Sequence, residues 1–390
     1  MCNSNSNPNL KRVLQIIHVS DMHVLAARHP TAPGIRILGR ILKTISNTLY
    51  KILIDGTAPS DPYAPIVFPR FIEQVAIKDS DWSGVPTWII DTGDHSTFGD
   101  RASLSRAQQY LAGFAAAGNP GGPGNSVNNV HGNHDAWPDD FPLLAPSKIS
   151  AHTNMIKRPP SSYAVRTAQA PIRTPLPAIG AEIQLYTLDT VNDGFWQNSW
   201  ARGIVNKSQL AGLYTLIQKQ QGASEALHLR ILATHHPIHY PPPRPRYEKV
   251  VADSASIGMH LSDPQNCMHL MLSGHTHALY PEHGKLPTSH RACDHDPPGN
   301  DRCQLVVGSL MQFDRSGKRW PHAHQCQVLR FYQDPGEPQI VILERLLAAR
   351  DPSRAPGTAS RRRTTGGTGE YKLIKLPGQE SCTEEMTINL

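Results

Sequence analysis

Val13–His23 reads VLQIIHVSDMH. The largely apolar run Val13–Val19 has the length of a buried strand, and it ends abruptly at Ser20-Asp21. In an extended segment the side chains at i and i+2 point the same way, so Asp21 and His23 could ligate one cation. The same event recurs down the chain. Thr87–Ile90 (TWII) runs out into Asp91 and Gly93-Asp94, and Val127–Val130 into Gly132-Asn133-His134-Asp135. Leu229–Ala233 ends at Thr234-His235-His236, and His269–Leu272 at Gly274-His275-Thr276-His277. Strand ends are where open α/β sheets place their ligands, so five such endings describe a single site.

Working outward, the spacing predicts helices at Ile35–Leu53, Pro69–Lys78, Ala102–Ala117 and Lys207–Gln220. Glu182–Leu188 alternates like a strand, and Gln304–Val307, Gln327–Tyr332 and Gln339–Glu344 read as a strand meander. The organisation expected is a flexible 1–12, one domain over 13–350 with an insertion at about 24–80, and a basic, largely irregular tail over 351–390. Within that tail Tyr371–Leu376 is a candidate returning strand.

Composition sets the bounds. The chain has 390 residues, 39% of them hydrophobic, which suffices for a large core, and its 34 Pro and 29 Gly imply long irregular loops. The formal charge of +6 is spread along the chain apart from Arg361-Arg362-Arg363, which weighs against a nucleic-acid stripe. No Cys-x-x-Cys pair occurs, so a structural zinc knuckle is not expected. Neither an apolar leader nor a long apolar span is present, and the expectation is a cytoplasmic protein without a membrane segment.

Taken singly, each of the five endings has an ordinary explanation. Asp-x-His arises by chance, Gly-Asp and Asn-His-Asp make turns, and a chain with 20 His will contain stray His pairs. His236 and His239 read as packing or solvent-exposed residues. Together the endings are different. Asp21, His23, Asp94, Asn133, His235, His275 and His277 offer seven O and N donors, a set that suits two borderline cations such as Mn, Fe, Zn or Co. Asp94 could bridge them, since a carboxylate has two oxygens. Two cations so placed clamp the attacking and leaving oxygens of a displacement at phosphorus.

The order D-x-H, GD, GNH[D/E], H, GHxH resembles the calcineurin-like metallophosphoesterase superfamily over roughly Val13 to Leu347. Asp189-Thr190, Gly203, Gln209-Leu210 and Thr234-His235-His236-Pro237 look like its cyclic-nucleotide phosphodiesterase-like branch. The resemblance implies an α/β four-layer sandwich of two mixed β-sheets flanked by helices, with a dinuclear metal site at the strand ends. It implies one metal on Asp21, His23, Asp94 and His277, and a second on Asp94, Asn133, His235 and His275. His134 would be the catalytic imidazole beside the leaving group, and a metal-bridging hydroxide the nucleophile. The substrate expected is a nucleotide or other small phosphodiester. The alternatives are a phosphomonoesterase or pyrophosphatase and, in another class, a non-catalytic metal-binding scaffold. A scaffold usually loses ligands, and all seven are present here.

Many relatives carry an acidic residue three positions after the bridging Asp, where it polarises the catalytic His. This chain has Thr97 there, and either Asp135 or no carboxylate at all is expected to take that role. Arg244 and Arg246 in YPPPRPR are candidates for holding a substrate phosphate, and the insertion at 24–80 for a lid.

Overall fold

The computed structural model describes residues 9–24, 64–96, 101–118, 127–136, 172–176, 181–191, 203–205, 207–221, 227–238, 257, 261, 268–277, 279–280, 289–291, 304–310, 325–337, 339–350, 371–374 and 383–389. The expected helix Ile35–Leu53, Thr97, His239, Arg244, Arg246 and most of the insertion lie outside the described residues.

Strand β1 (Lys11–Val19) pairs in parallel with β2 (Thr87–Asp91), which pairs in parallel with β3 (Val127–Asn129). On its other side β1 meets β10 (Gln325–Gln333), antiparallel, and β10 meets β11 (Ile340–Arg350). One edge of β11 carries β12 (Tyr371–Leu373) and then β13 (Thr383–Asn389), and β13 pairs with β8 (Ser289–Arg291). The second sheet runs β4 (Ile172–Leu176), β5 (Ala181–Thr187), β6 (His228–Ala233), β7 (Leu270–Ser273), β9 (Gln304–Val306). It is parallel except at β4. Both sheets are therefore mixed.

Residue parity builds the layers. One face of the first sheet (Leu14, Ile16, Trp88, Ile90, Leu329, Phe331) meets Ile183, Leu185, Leu229, Ile231 and Leu270 of the second in one buried cluster. The opposite face (Ile17, Val19, Ile89, Val328) packs on α1 (Ala64–Glu73) and α2 (Arg101–Ala117). The outer face of the second sheet (Tyr186, Leu232, Met271) packs on α3 (Lys207–Gln221) through Leu213 and Ile217. The order helix, sheet, sheet, helix is the expected four-layer sandwich.

Several expectations need correction. The helix expected at Pro69–Lys78 begins earlier, at Ala64, and its last turn, Gln74–Lys78, widens into a π-helix. The three-strand meander does not form, because Gln304–Val306 pairs with β7 in the other sheet and only β10 and β11 make a hairpin. Strand β12 falls within the expected returning strand Tyr371–Leu376, while β13, which was not expected, supports most of the length of β11. Among the described residues, no helix is long and apolar enough to cross a membrane.

Candidate metal centre

All five loops leave the C-terminal ends of parallel strands, and backbone pairing continues into them. The N–H groups of Asp21 and His23 donate to the carbonyls of Gly93 and Asp94 (both 2.8 Å), and Gly274 N–H donates to His235 O (3.1 Å). Close passage of these loops explains the glycines. A Cβ on Gly132 would strike the Asp94 carboxylate and backbone, and one on Gly274 would strike the Ser20 hydroxyl and the Asp21 carboxylate.

The structure brings the seven candidate donors close together. His277 Nε2 lies 3.1 Å from Asp21 Oδ1 and 3.1 Å from His23 Nε2. His235 Nε2 lies 3.1 Å from Asn133 Oδ1 and 3.4 Å from Asp94 Oδ2. The ring of His275 stands 5.0 Å from that of His235, and its backbone N–H donates to Asp21 Oδ2 (2.9 Å). Asp94 faces both groups through one oxygen. Its Oδ2 is 3.6 Å from His23 Nε2 and 3.4 Å from His235 Nε2, while Oδ1 accepts the His134 backbone N–H at 2.9 Å. Asp94 thus turns one oxygen to both donor groups and gives the other to the backbone of the neighbouring loop.

A cation pair fits these residues. Asp21, His23 and His277 place one donor atom each within 4.8 Å of one another, and so do Asp21, Asp94 and His235. Burial alone would push the Asp21 and Asp94 carboxyls up. The surrounding imidazoles, His277 first for Asp21 and His235 first for Asp94, outweigh it and hold both below the usual carboxylate range. Burial also lowers His235, but Asp94 more than compensates and raises it to about 9, whereas burial and His235 lower His275 to about 3. The centre is therefore anionic, buried except at the partly exposed His275 and the exposed His277, and lined with imidazole nitrogens, a set in which a proton and a metal compete for the same lone pairs. His134 is buried beside it, its ring 4.6 Å from that of His23 and edge-on at 86°.

Asp135 reaches the loop that carries Asp94. Its carboxylate accepts from the backbone N–H groups of His95 (3.1 Å), Ser96 (2.8 Å) and Gly132 (3.0 Å), and pairs with His95 Nδ1 at 2.9 Å. It ties the Asp94 loop to the Asn133 loop. His95 Nε2 is 3.3 Å from Asp91 Oδ2, so this buried imidazole lies between two carboxylates. Burial lowers its pKa, but Asp91 and Asp135 raise it to about 10. His236 is fully buried rather than exposed. Its Nδ1 is 2.8 Å from Thr190 Oγ1 and its ring 4.3 Å from that of His275, and Gly203 leaves room for it. With His235 and His275 it forms a further convergent donor group. Neither His95 nor His236 is legible from spacing, although the position of each beside a ligand was a signal.

The family model of the calcineurin-like phosphoesterases matches residues 14–279. The chain belongs to this family. No curated protein matches it. Among solved structures it is similar to a purple acid phosphatase, PPD1, from yellow lupin (Lupinus luteus) seeds, with 12% identity and a TM-score of 0.45. The match covers 98% of this chain and 55% of that one. A Thermus thermophilus sulfate thiohydrolase, SoxB, in complex with glycerol matches at 11% identity and a TM-score of 0.39, covering 99% and 58%. The calcineurin-like phosphoesterase YfkN from Bacillus subtilis matches at 10% and 0.38, covering 97% and 91%. The chain thus spans little more than half the length of the first two.

Proposed function

We propose that this calcineurin-like chain is a metal-dependent phosphoester hydrolase acting on a nucleotide or other small phosphodiester. The observation that carries the reading is the placement of Asp94 Oδ2 between two donor sets, 3.6 Å from His23 and 3.4 Å from His235. Asp21, His23, Asp94 and His277 would hold one cation, and Asp94, Asn133, His235 and His275 the other. Bound there, the cations supply Lewis acidity at phosphoryl oxygens and lower the pKa of water.

The remaining work falls to the chain. His134 would give a proton to the leaving oxygen, a task suited to an imidazole near neutral pH. Its backbone N–H, bonded to Asp94 Oδ1, keeps it in register with the bridging carboxylate. The preference for diesters rests on the residues that resemble the cyclic-nucleotide phosphodiesterase-like branch. Three of them, Thr190, Gly203 and His236, pack together behind the centre.

The test is turnover of bis- and mono-nitrophenyl phosphate by Mn²⁺-loaded protein, with metal content measured in parallel. Diester turnover should exceed monoester turnover, and His134→Ala should lower kcat about 10²–10⁴-fold at unchanged metal content. A loaded protein inert on both esters would overturn the reading.

A further inference from the structure

A row of buried polar side chains crosses the first sheet just beneath the metal centre. Glu384 (β13), Arg345 (β11), Gln327 (β10) and His18 (β1) share the parity of Ile388, Leu343, Leu329 and Ile16, so they face the second sheet. Arg345, Gln327 and His18 have no solvent exposure, and Glu384 has 8%. Arg345 is register partner to Glu384, and His18 to Gln327. Neighbouring residues on this face, among them Ile16, Leu329, Phe331 and Leu343, are apolar. Burying an arginine–glutamate pair there gains little or nothing in stability over apolar residues of like volume.

The chemistry of the groups fixes every bond direction. Arginine can only donate, so Arg345 Nε donates to Gln327 Oε1 (2.8 Å), and this assigns the Gln327 amide. Its Nε2 can then only donate, to His18 Nδ1 at 2.6 Å. That ring nitrogen must be bare, so the His18 proton sits on Nε2 and points to Thr92 Oγ1 at 3.1 Å. The Thr92 hydroxyl passes its own proton to Val19 O (3.4 Å), to which Thr92 N–H also donates (3.0 Å). Thr92 is thereby held on both sides of its Cα. Its carbonyl accepts from His235 Nδ1 at 2.7 Å, which leaves His235 Nε2 to face Asp94 and Asn133 with its lone pair, as the metal-ligating atom. A hydrogen bond of this kind on the far ring nitrogen sets the tautomer and aim of a metal-binding imidazole. Burial, then the charge of Arg345, lowers His18 to about 3, in keeping with a neutral ring.

We propose that His18, locked as the Nε2–H tautomer by Gln327 and Arg345, is a positioning residue that sets the aim of His235 through Thr92. Its metal consequence rests on the reading of the centre given above. Three of the row's four members lie beyond residue 279, where the family match ends. The C-terminal strands thus take part in aiming a ligand carried by the matched region.

The experiment uses the full chain with ¹⁵N-labelled histidine, metal-free and then titrated with Mn²⁺. In the wild type, His18 should show a bare Nδ1 and a protonated Nε2, and the Nδ1 proton of His235 should exchange slowly with solvent. Gln327→Glu keeps the volume and the bond to Arg345 but cannot donate, so His18 Nδ1 should gain a proton. His18→Leu should speed exchange of the His235 proton at least about tenfold and weaken Mn²⁺ binding roughly 10–100-fold. Should that variant not fold, Gln327→Glu is expected to move the same two readouts in the same direction. A protonated Nδ1 on wild-type His18 overturns the proposal. So does unchanged His235 exchange in whichever variant folds. A wild-type chain that binds no Mn²⁺ would sink the metal reading instead, and the exchange of the His235 proton would still decide the role of His18.

Discussion

Among the described residues, the side-chain-bearing positions with positive φ are Asp21, His23, Asp94, His275 and His277, at 46° to 66°. All five are candidate ligands. A residue with a Cβ in this region costs on the order of 1–3 kcal/mol, so the loops hold their donors against local preference. The restraint comes from loop-to-loop contact at glycine. Gly132→Ala would drive a Cβ into Asp94, and Mn²⁺ affinity by calorimetry should fall at least about tenfold. Gly113→Ala is the control. Its Cβ would meet nothing within 4 Å in the middle of α2, so affinity should hold and stability rise by about 0.5–1 kcal/mol. A second prediction concerns the Asp135 clamp. Removing its carboxylate leaves the buried His95 ring without one of its two partners, and Asp135→Ala should cost about 3–5 kcal/mol in urea unfolding. The seven donors were legible because each follows a strand and metal chemistry restricts residue type. The partners of Asp135 were not, because an Asp beside a candidate catalytic His looks the same whether it faces that His or the neighbouring loop. Only the approach of two loops 40 residues apart decides it.

At the scale of elements, helix α1 shows what docks the outer layer. Phe68 is fully buried, with Phe71, Phe114 of α2 and Tyr371 of β12 at ring distances of 5.8, 4.9 and 5.0 Å. Phe68→Ala should lower stability by about 3–5 kcal/mol, measured by denaturant unfolding. Strands buried on both faces were the easiest elements to read. Thr87–Ile90 and Leu229–Ala233 each fall within one residue of β2 and β6 at either end. The far half of β11 was missed for the opposite reason. Arg345 and Arg350 suggest a surface, yet both are buried, Arg345 against Glu384 and Gln327. Partners from strands far along the chain make that burial tolerable, and local alternation carries no sign of them. The edge strands β4 and β8 lack a continuous apolar run, because a sheet edge needs less burial than its centre.

For the whole molecule, the inter-sheet layer links acid stability to a single ring. An ordinary histidine takes a proton near 6.5, and His18 only near 3. Between those values the unfolded chain binds a proton that the folded chain refuses. The contribution of His18 is therefore complete above pH 6.5 and is lost as pH falls from 6.5 towards 3. Metal-free wild type should lose unfolding free energy through that range, and His18→Gln should show a shallower fall. The layered architecture was implied by the family resemblance, and the common position of the five loops could be read from the strand endings. The return of the chain's last strands to the middle and edge of the first sheet could not, since those pairings join residues more than 300 positions apart at β1.

That long pairing bears on how the protein is made. Strand β1 has β2 on one side, but its other edge is covered only when Gln325–Gln333 arrives. At roughly 5–20 residues per second, a ribosome needs on the order of 15–60 s to deliver that partner. Through this interval VLQIIHV, without a formal charge between Arg12 and Asp21, presents a bare apolar edge of the sort that recruits other chains. The strand that delivers Asp21 and His23 leaves the ribosome more than 300 residues ahead of the partner that encloses it.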